Sequence, residues 1–181
     1  SIKNPFIVMG KIPVELFCDR ETETRKLIHS LTNGNNVVLI SPRRMGKTGL
    51  IHHCYDDPCI SETYYTFFVD ILHTSNLREF TFNLGRSIYK ELVPKGKRYA
   101  KGFIRALKSL SGSISVDTLN GGPKFGVELG EITKPELTLE EIFTYLECAN
   151  KPCIMAIDEF QQITHYPEKN IEALLRGHIQ Q

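Results

Sequence analysis

Apolar residues along the chain recur at two spacings, and the switches between them divide it into strands and helices. Three short runs are apolar with little alternation: 36–40 (Asn-Val-Val-Leu-Ile), 64–69 (Tyr-Tyr-Thr-Phe-Phe-Val) and 153–157 (Cys-Ile-Met-Ala-Ile). Their β-branched and aromatic content is that of strands buried on both faces of a sheet. Between them the spacing lengthens to three or four residues. After Asp19, which can cap a helix, Glu21 and Glu23 suit a first turn and Leu27, Ile28 and Leu31 form an apolar face that Asn33-Gly34-Asn35 would end. A short helix is expected over 47–54. Asn76 and Glu79 form a capping box ahead of Leu77, Phe80, Leu84, Ile88 and Leu92, which predicts an amphipathic helix. Another is expected over 97–110, with Phe103, Ile104, Leu107 and Leu110 inward. Alternation over 113–118 around Ile114 and Val116, the turn residues Asn120-Gly121-Gly122-Pro123, and alternation back through Phe125, Val127 and Leu129 predict a β-hairpin. Thr138 and Glu141 read as a second capping box, opening a helix with Leu139, Ile142, Phe143 and Leu146 inside, and Ile171, Leu174 and Leu175 mark a last helix.

Strands alternating with helices predict an α/β fold with a largely parallel sheet, the hairpin at 111–130 being an insertion. The 181 residues suffice for one core and are few for two well-buried domains with a linker, so a single domain over 1–181 is expected. Hydrophobic residues at 41% and charged residues at 24% exclude a disordered tail. A formal net charge of +1 gives no whole-molecule attraction to nucleic acid or anionic lipid. No apolar run approaches the roughly 20 residues needed to cross a bilayer, and the opening Ser1-Ile2-Lys3-Asn4-Pro5 lacks a signal-peptide core, so no membrane partner and a cytoplasmic location are expected. The five cysteines, at 18, 54, 59, 148 and 153, are odd in number and scattered, which favours reduced core thiols over a disulfide framework.

The chemistry concentrates at two places. Ser41-Pro42-Arg43-Arg44-Met45-Gly46-Lys47-Thr48 fits the phosphate-loop pattern G-x-x-x-x-G-K-[ST] except at its first position, between an expected strand and an expected helix. In that context consecutive backbone N–H groups and a helix N-terminus face an anion, Lys47 reaches β and γ phosphates, and the Thr48 hydroxyl can ligate Mg²⁺. Pro42 has no N–H, so the donors run from Arg43 to Gly49. Ser41 adds a Cβ where Gly is usual, and the turn there must keep φ negative or accept strain. The candidate nucleotide-contacting residues are therefore Ser41, Arg43, Arg44, Met45, Gly46, Lys47, Thr48 and Gly49. The second place is the run 153–157 followed by Asp158-Glu159, the form of a Walker B segment. In such a segment the first acid, with Thr48, serves Mg²⁺ and the second activates water. Each motif alone has a bland counterpart, a chance G-K-T or a solvated acidic turn. Together, in order on two expected strands, they predict an ATP site with Lys47 and Glu159 as its catalytic residues.

The segment 42–48, the upstream Phe17-Cys18-Asp19-Arg20-Glu21 and the Asp158-Glu159 pair resemble the archaeal-type ATPase family of the signal-transduction ATPases with numerous domains and, more distantly, the AAA+ ATPases. The resemblance implies a three-layer P-loop fold of the ASCE type, ATP with Mg²⁺ as cofactors, and Glu159 as the catalytic glutamate. It also implies that Phe17 and Arg20 border the adenine pocket, although capping and packing account for them equally. In that fold the strand after Walker B sits between the P-loop and Walker B strands. The sequence stops before such a strand, so the expectation is a core lacking its C-terminal strands, with 36–40 and 153–157 missing their shared neighbour.

Other features are less specific. Lys95, Lys97, Arg98, Lys101, Arg105 and Lys108 form a basic block without an acid between 92 and 116, and 97, 101, 105 and 108 share one helical face. Such a face can touch a phosphate backbone or simply be solvated, with Glu128, Glu131, Glu136, Glu140 and Glu141 as compensation. His52, His53, Cys54, Asp57 and Cys59 do not match paired zinc-ligand spacing. Asp70 ends the second expected strand, where α/β sheets place ligands. The functional expectation is an ATP-binding and ATP-hydrolysing switch or motor module, with ATP and ADP as ligands and protein partners or self-association possible. The alternatives are a nucleotide-dependent DNA-binding or scaffold module and a small-molecule P-loop kinase.

Overall fold

The computed structural model describes residues 6–8, 20–34, 46–111, 114–117, 124–127 and 132–179. The expected strand at 36–40, loop residues Ser41 to Met45, the Asp19 cap, Phe17 and the turn at 120–123 lie outside them. So does the side chain of Arg20. The chain divides into two compact units, one formed by Ser1–Leu72, Ala149–Phe160 and Ile179–Gln181, the other by His73–Cys148 and Gln161–His178.

The first unit is α/β. Its sheet has three parallel strands in the order β1 (Phe6–Val8), β5 (Cys153–Asp158), β2 (Tyr65–Asp70). All six residues of β5 are buried, as expected of an unbroken apolar run covered on both faces. Ile154 and Ala156 pack in one cluster with Leu27 and Leu31 of α1 (Arg20–Thr32), Leu50, Ile51 and Cys54 of α2 (Lys47–Asp56), and Ile60 of the short α3 (Pro58–Ser61). Helix α1 stops at the expected break: Asn33 N–H donates to His29 O at 3.2 Å and Gly34 N–H to Leu31 O at 3.0 Å, with Gly34 at φ 72°. Tyr55 Oη donates to Phe67 O at 2.9 Å, and Tyr65 Oη to Asn150 Oδ1 at 2.8 Å, fixing β2 to its surroundings.

Strand β1 is absent from the hydropathy reading, because four apolar residues between Pro5 and Gly10 are too few to show a period. It pairs with Met155, Ala156 and Ile157 on the side of β5 away from β2. The strand at 36–40, with which 153–157 is expected to miss a shared neighbour, lies outside the described residues.

The second unit contains α4 (Leu77–Leu92), α5 (Lys97–Ser111), an antiparallel hairpin of β3 (Ile114–Asp117) and β4 (Lys124–Val127), α6 (Pro135–Glu147) and α7 (Ile171–Ile179). The cap of α4 is as read: Asn76 Oδ1 accepts from Glu79 N at 2.9 Å, and Glu79 Oε2 accepts from Ser75 N at 2.6 Å. Leu77, Phe80, Leu84, Ile88 and Leu92 are all buried. The second capping box is corrected. Helix α6 starts three residues before Thr138, because Pro135 can occupy the first turn without an N–H to satisfy. Thr138 lies inside the helix, its hydroxyl donating to Lys134 O at 3.2 Å.

The view of all cysteines as core thiols is also corrected. Cys54 and Cys153 are buried, but Cys59 and Cys148 are exposed. Burial pushes the Cys54 thiol up to about 11, with the Thr24 side chain opposing the shift and the nearby Asp57 charge adding to it. At pH 8 its thiolate is on the order of one part in 10³. Iodoacetamide at pH 8 is therefore expected to modify Cys59 and Cys148 in the folded protein, and Cys54 only after unfolding. Peptide mass mapping reads this out, and labelling of Cys54 as fast as Cys59 would contradict the burial.

Candidate nucleotide site

The site is built where β5 ends and α2 begins, within the first unit. Side chains alternate along a strand, so Asp158 shares a sheet face with Ile154 and Ala156. Those two residues pack against α2. The alternation thus directs the Asp158 carboxylate to the face on which α2 lies, and a six-residue run of buried positions delivers it there 9% exposed.

Gly46 precedes α2 at φ 77°, ψ 17°, a left-handed conformation that glycine adopts without a Cβ penalty, and supplies no side-chain cap. The first intrahelical bond, Leu50 N–H to Gly46 O, is 3.0 Å. The N–H groups of Lys47, Thr48 and Gly49 precede it and point out of the helix end, where the positive end of the helix dipole lies. A Cβ added at Gly49 would meet nothing within 4 Å, so its glycine character is not demanded by close packing.

Lys47 and Thr48 both turn to Asp158. The Lys47 ammonium lies 3.8 Å from Asp158 Oδ1, with the two side chains 16% and 13% exposed. The Thr48 hydroxyl donates to Asp158 Oδ2 at 3.4 Å. The Glu159 backbone N–H donates back to Asp158 Oδ1 at 3.0 Å, so both carboxylate oxygens have partners and the group is oriented. Glu159 itself is half-buried and sits at φ 58°, a left-handed conformation uncommon for a residue with a Cβ. Backbone strain of this kind clusters at functional sites.

Lys47 and Thr48 are thus brought together with Asp158, at least 110 residues further along the sequence, with Gly46 at the helix start and Glu159 next along the chain. Ser41, Arg43, Arg44 and Met45 lie outside the described residues. Asp70 pairs in register with Asp158 at the ends of neighbouring strands. Its Oδ1 accepts from Leu72 N–H at 2.8 Å, and the residue is exposed, so it shapes the turn after β2. Sequence reading missed the Glu159 N–H contact and the left-handed turn that makes it, because both depend on backbone angles that no side-chain pattern encodes.

Comparisons with protein-family models, with curated proteins and with solved structures find no match. Among the described residues no helix is long and apolar enough to cross a membrane.

Proposed function

We propose that the chain is a P-loop domain of the ASCE type that binds ATP with Mg²⁺ and hydrolyses it, as a switch or motor module. The observation that carries this reading is the convergence of Lys47 and Thr48, from the first turn of one helix, on the carboxylate that ends a buried parallel strand. An ammonium, a hydroxyl, a carboxylate and a helix N-terminus in one place form a polyanion site with a cation ligand set.

In this reading the N–H groups at the start of α2 and the Lys47 ammonium hold the β and γ phosphates. Thr48 and Asp158 offer hard oxygen donors, which suit Mg²⁺ and would leave its other positions to phosphate and water. Bound there, the cation would neutralise charge on the phosphates during transfer. Glu159, adjacent to the anchored Asp158, takes a proton from water as its oxygen attacks the γ-phosphorus and the bond to the ADP oxygen breaks, giving ADP and phosphate.

Binding of a fluorescent ATP analogue in the presence of Mg²⁺ tests the assignment. Lys47→Ala is expected to weaken it at least tenfold, the order of loss for a charge-assisted contact of about 1.5–3 kcal/mol. Circular dichroism checks that the variant is folded. Unchanged affinity in a folded Lys47→Ala protein would remove the basis of the proposal.

A further inference from the structure

Helix α5 carries a feature that nucleotide chemistry does not use. The chain from Leu92 to Val116 has six basic residues and no acidic one. Within α5, Arg98, Lys101 and Arg105 are exposed, and none of the ion pairs among the described residues involves them. By helical spacing these three share one face over seven residues, about 10 Å at 1.5 Å per residue. The neighbouring α6 carries Glu136, Glu140, Glu141 and Glu147, yet no ion pair ties any of them to Arg98, Lys101 or Arg105.

The opposite face of α5 is fixed. Ala100, Phe103, Ile104 and Leu107 are buried, the Phe103 ring lies 5.2 Å from that of Tyr145, and Tyr145 Oη donates to Tyr99 O at 2.9 Å. Among the described side chains of α5 this burial leaves no free apolar face to insert into a lipid interface, which an interfacial helix requires. What faces outward among the described side chains is the row of Arg98, Lys101 and Arg105, with Tyr99 40% exposed beside it.

We infer that this face of α5 binds the phosphate backbone of nucleic acid, without base specificity. A row of like charge complements a rod carrying one negative charge per roughly 1.7 Å of duplex axis. The inference is independent of ATP binding, because it uses no residue of the nucleotide site.

The test is fluorescence anisotropy with a labelled 20-base-pair duplex of arbitrary sequence, titrated from about 50 to 200 mM salt, the range over which phosphate contacts are lost. Three phosphate contacts give a log–log salt slope near −2.7, from about −0.9 per contact. Lys101→Glu/Arg105→Glu is expected to lower affinity at least tenfold and to shallow the slope by about 2, while Lys101→Arg/Arg105→Lys retains binding. Circular dichroism and ATP-analogue binding report folding of each variant. No binding of the wild type at 50 mM salt, or equal affinity and slope in the folded charge-reversed variant, overturns the inference. Binding to phosphatidylserine vesicles without binding to the duplex also overturns it, in favour of a membrane surface.

Discussion

Glu159→Gln is expected to slow ATP hydrolysis by about 10²–10⁴-fold while leaving ATP affinity within about threefold of wild type, the range typical for loss of a general base. Gln keeps the size and hydrogen-bonding reach of the side chain but cannot take a proton from water. The backbone is expected to tolerate the change, because the anchoring contact at this position is the Glu159 main-chain N–H to Asp158 Oδ1 at 3.0 Å, which the substitution retains. Lys47 and Thr48 meet Asp158 in the contacts that define the site, and the substitution keeps all three. Steady-state phosphate release measured beside ATP-analogue affinity separates the two effects. Equal hydrolysis rates in the variant and the wild type would move the base elsewhere. A parallel loss of affinity and rate would instead mark Glu159 as a binding or structural residue. Appearance of a phosphorylated acceptor without free phosphate would favour kinase chemistry.

The parts of this site legible in sequence are those set by composition and local spacing. Strand β5 could be read because it is covered on both faces and so has no polar interruption from Cys153 to Ile157. Helix α4 could be read because its cap and its stripe agree, the Asn76–Glu79 pair leading directly into Leu77, Phe80 and Leu84. Thr138 misled because a Ser/Thr-x-x-Glu spacing competes with Pro135 for the helix start, and proline at the first turn wins when its missing N–H costs nothing there. Strand β1 is too short to carry a pattern, and its existence depends on a β5 edge contributed from about 150 residues away in the sequence. Meeting of Lys47 and Thr48 with Asp158 is equally long-range. It was legible only because phosphate chemistry constrains which residues stand at a helix start and at a strand end. The left-handed Glu159 had no such signal.

The alternation that points Asp158 toward α2 makes a further outcome predictable. Ile154, fully buried two positions before Ala156 and four before Asp158, packs with Leu50 and Ile51 of α2. Ile154→Ala is expected to destabilise the protein by about 2–5 kcal/mol, from lost apolar contact and the cavity left where the core cannot collapse. A loss near 3 kcal/mol corresponds to a Tm lower by roughly 6–12 °C for a chain of this size. The same cavity lies under the helix whose first turn holds Lys47 and Thr48, so ATP affinity is expected to fall with stability. Met155→Ala separates the two consequences. Met155 is also buried, 1% exposed, but by alternation lies on the opposite sheet face from Ile154 and Asp158. It is expected to cost a similar amount of stability and to change ATP affinity less. Urea unfolding and ATP-analogue titration on both variants provide the comparison. Equal affinity losses would mean that β5 positions Asp158 as a whole strand and not through the packing of one face on α2.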